Sequence, residues 1–176
     1  GMIVTNNSEF AEQCQILKKN GASKRYYNTS IGWNFKMPDV NAALGISQLK
    51  RIESIIERKN SCAKFYDELF STIPEITAPI VKEYNRTTYM LYSILVKDNK
   101  LREKIRIGLE SQGIETRINF PPMHLQPAYI DRFGDTRGSL PISEDISERI
   151  LGLPIFTNMT QTDQELIVNT IKQSMN

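Results

Sequence analysis

From Val40 to about Phe70, Ile52, Ile55, Ile56, Ala63, Tyr66 and Phe70 recur at helical spacing. At about 1.5 Å per residue such a helix would reach roughly 45–50 Å, more than a small domain is wide. It would have to join two bodies or two subunits. Pro38 suits its first position, because the N–H that proline lacks would be unpaired there anyway. The first turns then carry Ala42, Ala43, Gly45 and Ser47 beside the polar Asn41 and Gln48. Small residues all round a helix let another backbone or a cofactor-bearing surface come close. Burial of the helix in a single core is the alternative.

The flanking segments read as alternating strands and helices. "MIVT" (Met2 to Thr5) is a short β-branched run expected to be a strand buried on both faces, which needs neighbours in a sheet. Asn7 or Ser8 can cap a following helix with Phe10, Cys14, Ile16 and Leu17 on its apolar face and Gly21 at its end. Residues 22–31 lack periodicity and read as a polar, aromatic loop. After Pro74, "ITAPIV" and especially Thr88 to Lys97 are rich in β-branched and aromatic residues and read as strands. Asp98 can cap a helix from about Lys100 to Gln112, with Leu101, Ile105 and Leu109 inward and Gly113 as its exit. Ile114 to Phe120 alternates apolar and polar, predicting a half-buried strand that completes a β-α-β unit. Pro121 and Pro122 end that strand and leave a loop with one short helical turn. Ser143 to Leu151 reads as a short helix and "LPIFT" as extended. Thr160 with Asp163 forms a capping box for a last helix from Gln161 to about Met175.

Composition narrows the function classes. With 176 residues, 40% hydrophobic and 24% charged, the chain suits one α/β domain with a real core. A net charge of +2 with interleaved signs offers no basic stripe for a nucleic-acid backbone. No run approaches the ~18 apolar residues of a membrane helix, and no signal-peptide pattern opens the chain, so the cytoplasm is the expected location. Cys14 and Cys62 read as reduced packing residues, and the single His124 leaves no His-rich metal site.

Without any family in view, few side chains suggest chemistry. Asn34 behind Gly32 closes a turn or offers an amide; Lys36, Arg117 and His124 are candidate contacts, with Trp33 and the tyrosines as stacking surfaces. His124 between prolines also suits a loop histidine bonding a carbonyl, and Arg117 suits the wet face of a strand.

"GWNFKMPDVNAALGISQLKRIESIIERKNSCAKFYDELF" resembles the signature of the DegT/DnrJ/EryC1/StrS family of pyridoxal-phosphate (PLP) sugar aminotransferases, close to G-x-N-x-R-M-x-[DE]-x-x-A-A-x-x-x-x-Q-L. Gly32, Asn34, Met37, Asp39, Ala42, Ala43, Gln48 and Leu49 match it. "GMIVTNNSEFAEQCQILKKNG" resembles the family's segment after the cofactor lysine, "GIETRINFPPMHLQPAY" its Pro-x-His-x-x-Pro-x-Tyr region, and "LPIFTNMTQTDQELIVNTI" its closing segment. Four motifs in order cover essentially the whole chain.

The resemblance implies the C-terminal part of a PLP-dependent transferase type I fold. Residues 1–31 would end the large cofactor domain, 32–70 form the interdomain helix, and 71–176 the small C-terminal α/β domain. It implies a homodimer that passes an amino group from a donor such as glutamate to a keto-sugar nucleotide. By the family pattern the Schiff-base lysine lies a few residues before the "MIVT" strand, so these 176 residues alone are expected to be catalytically silent. Gly1-Met2 is either the end of a longer chain's glycine-rich turn or a scar before an initiator. A non-catalytic dimerisation module is the alternative function. The resemblance places Asn34 at the partner's PLP phosphate, and His124, Lys36, Arg117 and Tyr129 on the substrate side. Lys36 stands where the family more often has arginine, so it offers a point charge and no planar fork.

Overall fold

A computed structural model describes residues 1–175. The chain divides into two compact units, Gly1–Arg51 and Ile52 onward.

In the first unit, helix α1 (Ser8–Leu17) starts at Asn7, whose Oδ1 accepts from Phe10 N at 3.0 Å. The chain then turns through Asn20 and Gly21, both at positive φ. Strands β1 (Ala22–Lys24) and β2 (Tyr27–Asn28) form an antiparallel hairpin where a loop was expected. Tyr26 makes its turn in the left-handed region at φ 62°, a role that sequence rules assign to Gly or Asn. Gly21 is fixed as glycine by space as well as by φ, because a Cβ there would sit 1.7 Å from the Ser30 carbonyl oxygen. Beyond the hairpin, Trp33 N donates to Leu17 O, Asn20 N to Trp33 O and Phe35 N to Lys18 O, so residues 33–35 lie extended along the end of α1. Helix α2 (Asp39–Leu49) closes the unit, with Pro38 at its N-cap.

Three expectations fail here. Met2 to Thr5 is not a strand: Met2, Ile3 and Val4 are exposed, and no strand among the described residues pairs with them. Residues 22–31 are partly a hairpin. The helix expected to run unbroken to Phe70 stops at Leu49 and resumes as α3 (Ile52–Phe70); at the gap Arg51 N bonds back to Gln48 O, an i−3 contact that tightens the last turn. Neither Lys50 nor Arg51 is a helix breaker, which is why the pattern hid the gap.

The second unit has a conventional core. Strands β3 (Ile76–Thr77), β4 (Tyr92–Val96) and β5 (Ile150–Leu153) form an antiparallel sheet in the order β3-β4-β5, with Ile76 opposite Val96 and Ile94 opposite Leu151. On β4 the alternation is clean: Tyr92, Ile94 and Val96 are buried, and Ser93 and Leu95 are half-buried. Against this face pack α3, α4 (Asn99–Ser111) and α7 (Gln161–Met175), burying Tyr66, Phe70, Ile105, Leu109, Val168 and Ile171. Tyr66 and Tyr92 stack with ring centroids 4.8 Å apart. Two short helices, α5 (Pro127–Phe133) and α6 (Pro141–Arg149), lie between α4 and β5.

Here too the boundaries moved. Pro79 has no N–H for a ladder, so "ITAPIV" supplies only a two-residue strand. Ile114 to Phe120 is not a strand but a run joined to β5 by one bridge, Arg117 with Gly152, so the expected β-α-β unit is replaced by an antiparallel sheet. The helix expected to reach Leu151 ends at Arg149, and Ile150–Leu153 becomes the strand. The caps at Asp98 and at Thr160 with Asp163 form as expected.

Candidate functional site

The side chains singled out by sequence fall into three groups. Asn34 and Lys36 belong to the first unit and are exposed. Because residues 33–35 are extended, Trp33 and Phe35 share one face, where they stack at 5.8 Å and 8°, and Asn34 points from the other. Its backbone is bridged to Lys19 while its side chain makes no hydrogen bond among the described residues. This is a fixed backbone presenting an uncommitted amide, which can donate to an anionic oxygen without adding charge. The adjoining α2 is apolar and open: Val40, Leu44, Ile46 and Leu49 are all exposed, and a Cβ built on Gly45 meets nothing within 4 Å.

His124 and Tyr129 form the second group. His124 lies in a 3-10 turn, Met123–Leu125, and its Nε2 is 2.9 Å from Glu144 Oε1. The Glu144 carboxylate also accepts from Gly138 N at 2.9 Å and Leu140 N at 3.3 Å, so one side chain ties together the 3-10 turn, the loop before α6 and the first turn of α6. These bonds, the one from His124 foremost, hold the Glu144 carboxyl below the usual carboxylate range. Tyr129 is 41% exposed and tilts against Phe133 on α5. Glu144 was not found from the sequence; its position in the first turn of a proline-started helix was the available signal, and its link to His124 twenty residues away is tertiary.

Arg117 belongs to the third. Its backbone N and O pair with Gly152 O and N at 3.0 and 2.7 Å, while its side chain is exposed and lies 3.4 Å from Glu115 Oε1. It borders an open cavity of about 290 Å³ beside β5, whose wall includes Met90, Asn119, Gly152, Pro154 and Phe156. Asn119 was also missed, because its place depends on Gly152 across the bridge. Elsewhere the titratable groups are structural: burial pushes the Tyr92 and Tyr66 hydroxyls and the Cys62 thiol up, and both cysteines are free. Among the described residues no cluster of His, Cys, Asp or Glu could hold a metal, and no helix is long and apolar enough to cross a membrane.

Residues 1–172 match the DegT/DnrJ/EryC1/StrS aminotransferase family. The chain belongs to that family. Relatives of this DegT/DnrJ/EryC1/StrS chain include an uncharacterized protein of Methanocaldococcus jannaschii, 34% identical over 98% of this chain and 49% of its own length. The GDP-perosamine synthase of Vibrio cholerae is 32% identical over 100% of this chain and 48% of its own. Among solved structures, PseC of Helicobacter pylori, an aminotransferase of pseudoaminic acid biosynthesis, superposes with a TM-score of 0.87 at 26% identity, over 97% of this chain and 47% of that one. The chain thus spans about half the length of the relatives it matches, and its fold is part of the family's PLP-dependent aminotransferase fold.

PLP is the cofactor of this family. The residues present fit part of what it needs. Asn34 offers an amide donor suited to a phosphate oxygen, since its side chain is exposed and makes no hydrogen bond among the described residues.

Proposed function

We propose that these residues are the C-terminal part of a PLP-dependent aminotransferase that moves an amino group from an amino acid such as glutamate onto a keto-sugar nucleotide. The observation that carries the reading is the unbroken family match over residues 1–172 of a chain half the length of its relatives. In this reading residues 1–31 close the large cofactor domain, 32–70 form the interface region and 71–176 the small domain. GDP-perosamine synthase relatives from three bacteria favour a nucleotide-linked sugar as acceptor.

When bound, the cofactor acts as an electron sink for amino-group transfer. This chain's part is to bind and orient. Asn34 donates to a phosphate oxygen of the cofactor held by the partner subunit of a homodimer. Lys36 adds a mobile positive charge on the substrate side. On the small domain, His124 contacts the sugar or nucleotide with its free nitrogen while Glu144 holds the other, and Tyr129 and Arg117 border the substrate side. Glu144 thereby fixes the ring's orientation, because a nitrogen bonded to a carboxylate carries the proton.

The exposed apolar surface of Gly1–Arg51 also favours a second reading, a dimerisation module without catalysis. The two part on one assay. The chain is combined with the large-domain half of the enzyme, and 2-oxoglutarate release is measured with PLP, glutamate and a keto-sugar nucleotide. Turnover on combination supports the transaminase; association without turnover supports the module.

A further inference from the structure

The cavity beside β5 is not accounted for by packing. Its rim is an extended run in which Glu115, Arg117 and Asn119 alternate onto the same side, held to β5 by the Arg117–Gly152 pair. Gly152 lets that run come close: a Cβ there would lie 2.5 Å from Asn119 Nδ2 and 3.1 Å from Arg117 O. Asn119 Nδ2 is buried over the glycine with no acceptor among the described residues. A buried donor without a partner is costly, so the amide gains when an acceptor is brought to it. Arg117 is poised as well. Among the described residues its guanidinium meets only the exposed Glu115, at 3.4 Å, a surface pair of little worth that a better-placed anion can replace. Facing these polar groups are Met90, Pro154 and Phe156, which suit a short carbon chain.

We infer that this cavity takes a carboxylate of the amino-acid donor and of the keto acid it becomes, gripped by Arg117 with Asn119 turned to the same anion. The inference rests on the transaminase reading and names the donor's subsite within it. The charge balance selects a carboxylate over a nucleotide's pyrophosphate: one arginine, already partly offset by Glu115, matches a single negative group. A planar guanidinium also fits a carboxylate with two parallel bonds. Gly152 is the positioning residue, since any side chain there pushes Asn119 and the Arg117 carbonyl away.

Two measurements test this separately from the activity itself. In the 176-residue chain, the side-chain NMR signals of Arg117 Nε–H and Asn119 Nδ2–H₂ are followed while 2-oxoglutarate, GDP or sodium chloride is added. Both signals move with 2-oxoglutarate and not with chloride, and Arg117→Ala weakens the remaining Asn119 response at least about tenfold. Signals that stay still with 2-oxoglutarate, or that respond to GDP in its place, overturn the proposal. In the enzyme completed with its large-domain half, Arg117→Ala and Asn119→Ala each raise the donor KM about tenfold or more. An unchanged donor KM in an active enzyme overturns the subsite and leaves the transaminase reading standing. A completed enzyme that does not transaminate, with the NMR response intact, overturns the transaminase reading and leaves the carboxylate site.

Discussion

Tyr92 is fully buried, and its hydroxyl donates to Asp67 Oδ1 at 2.6 Å while its ring stacks on Tyr66. Tyr92→Phe keeps the ring and strips the hydrogen bond, leaving Asp67 half-buried without that donor. We expect a loss of about 1–2 kcal/mol, read as a lower urea midpoint with an unchanged slope. Gly152→Ala should cost a similar amount, about 1–3 kcal/mol, because the Arg117 carbonyl at 3.1 Å is backbone and yields poorly. Residue roles were legible only where they act locally. Asn7 and Asp98 could be read as caps because each bonds an N–H three residues on. Asn119 and Glu144 could not, since each acquires its role from a residue twenty or more positions away.

The helix starts make the element scale testable. Asp98 Oδ1 accepts from Leu101 N at 2.8 Å, and Asp98→Ala should destabilise the second unit by about 1 kcal/mol in urea unfolding. Asp163 accepts from Thr160 N and Oγ1, and these bonds hold its carboxyl below the usual range, as His124 does for Glu144. For both groups the folded pKa is depressed, so their stabilisation is complete above the unfolded values of about 3.9 and 4.3 and is lost as pH falls through the lower folded values. Urea midpoints measured from pH 6 to pH 2.5 should fall across the acid end of that range, and Asp163→Asn and Glu144→Gln should each flatten the fall. Strands were less legible than helices. Tyr92–Val96 announced itself by its β-branched and aromatic residues, whereas Ile150–Leu153 is continuous with the helix pattern before it, and only the register against β4 makes it a strand. The hairpin at 22–28 lacked the usual glycine turn, and Met2 to Thr5 had a strand's composition without a strand to pair with.

At the scale of the whole molecule the two units differ in kind. The second buries a continuous core, while in Gly1–Arg51 the one buried residue is Gly21. Fifty-one residues without a buried apolar side chain cannot offset the entropy of ordering them, so this unit needs a covering surface. Its apolar side chains, Ile31, Phe35, Val40, Leu44 and Leu49 among them, are the ones that would meet it. Residues 52–176 alone should therefore unfold cooperatively, and the full chain should self-associate in light scattering. Val40→Glu with Leu44→Lys should reduce that association without moving the urea midpoint of the second unit. The fold class and family were legible because four motifs recur in order; the units' separate stability was not, because it depends on burial that no periodicity records. The most direct test of the central claim is a transaminase assay of the 176-residue chain, with PLP, glutamate and a keto-sugar nucleotide, alone and with the large-domain half. No 2-oxoglutarate alone and turnover on combination is the predicted result; turnover by the chain alone would contradict it.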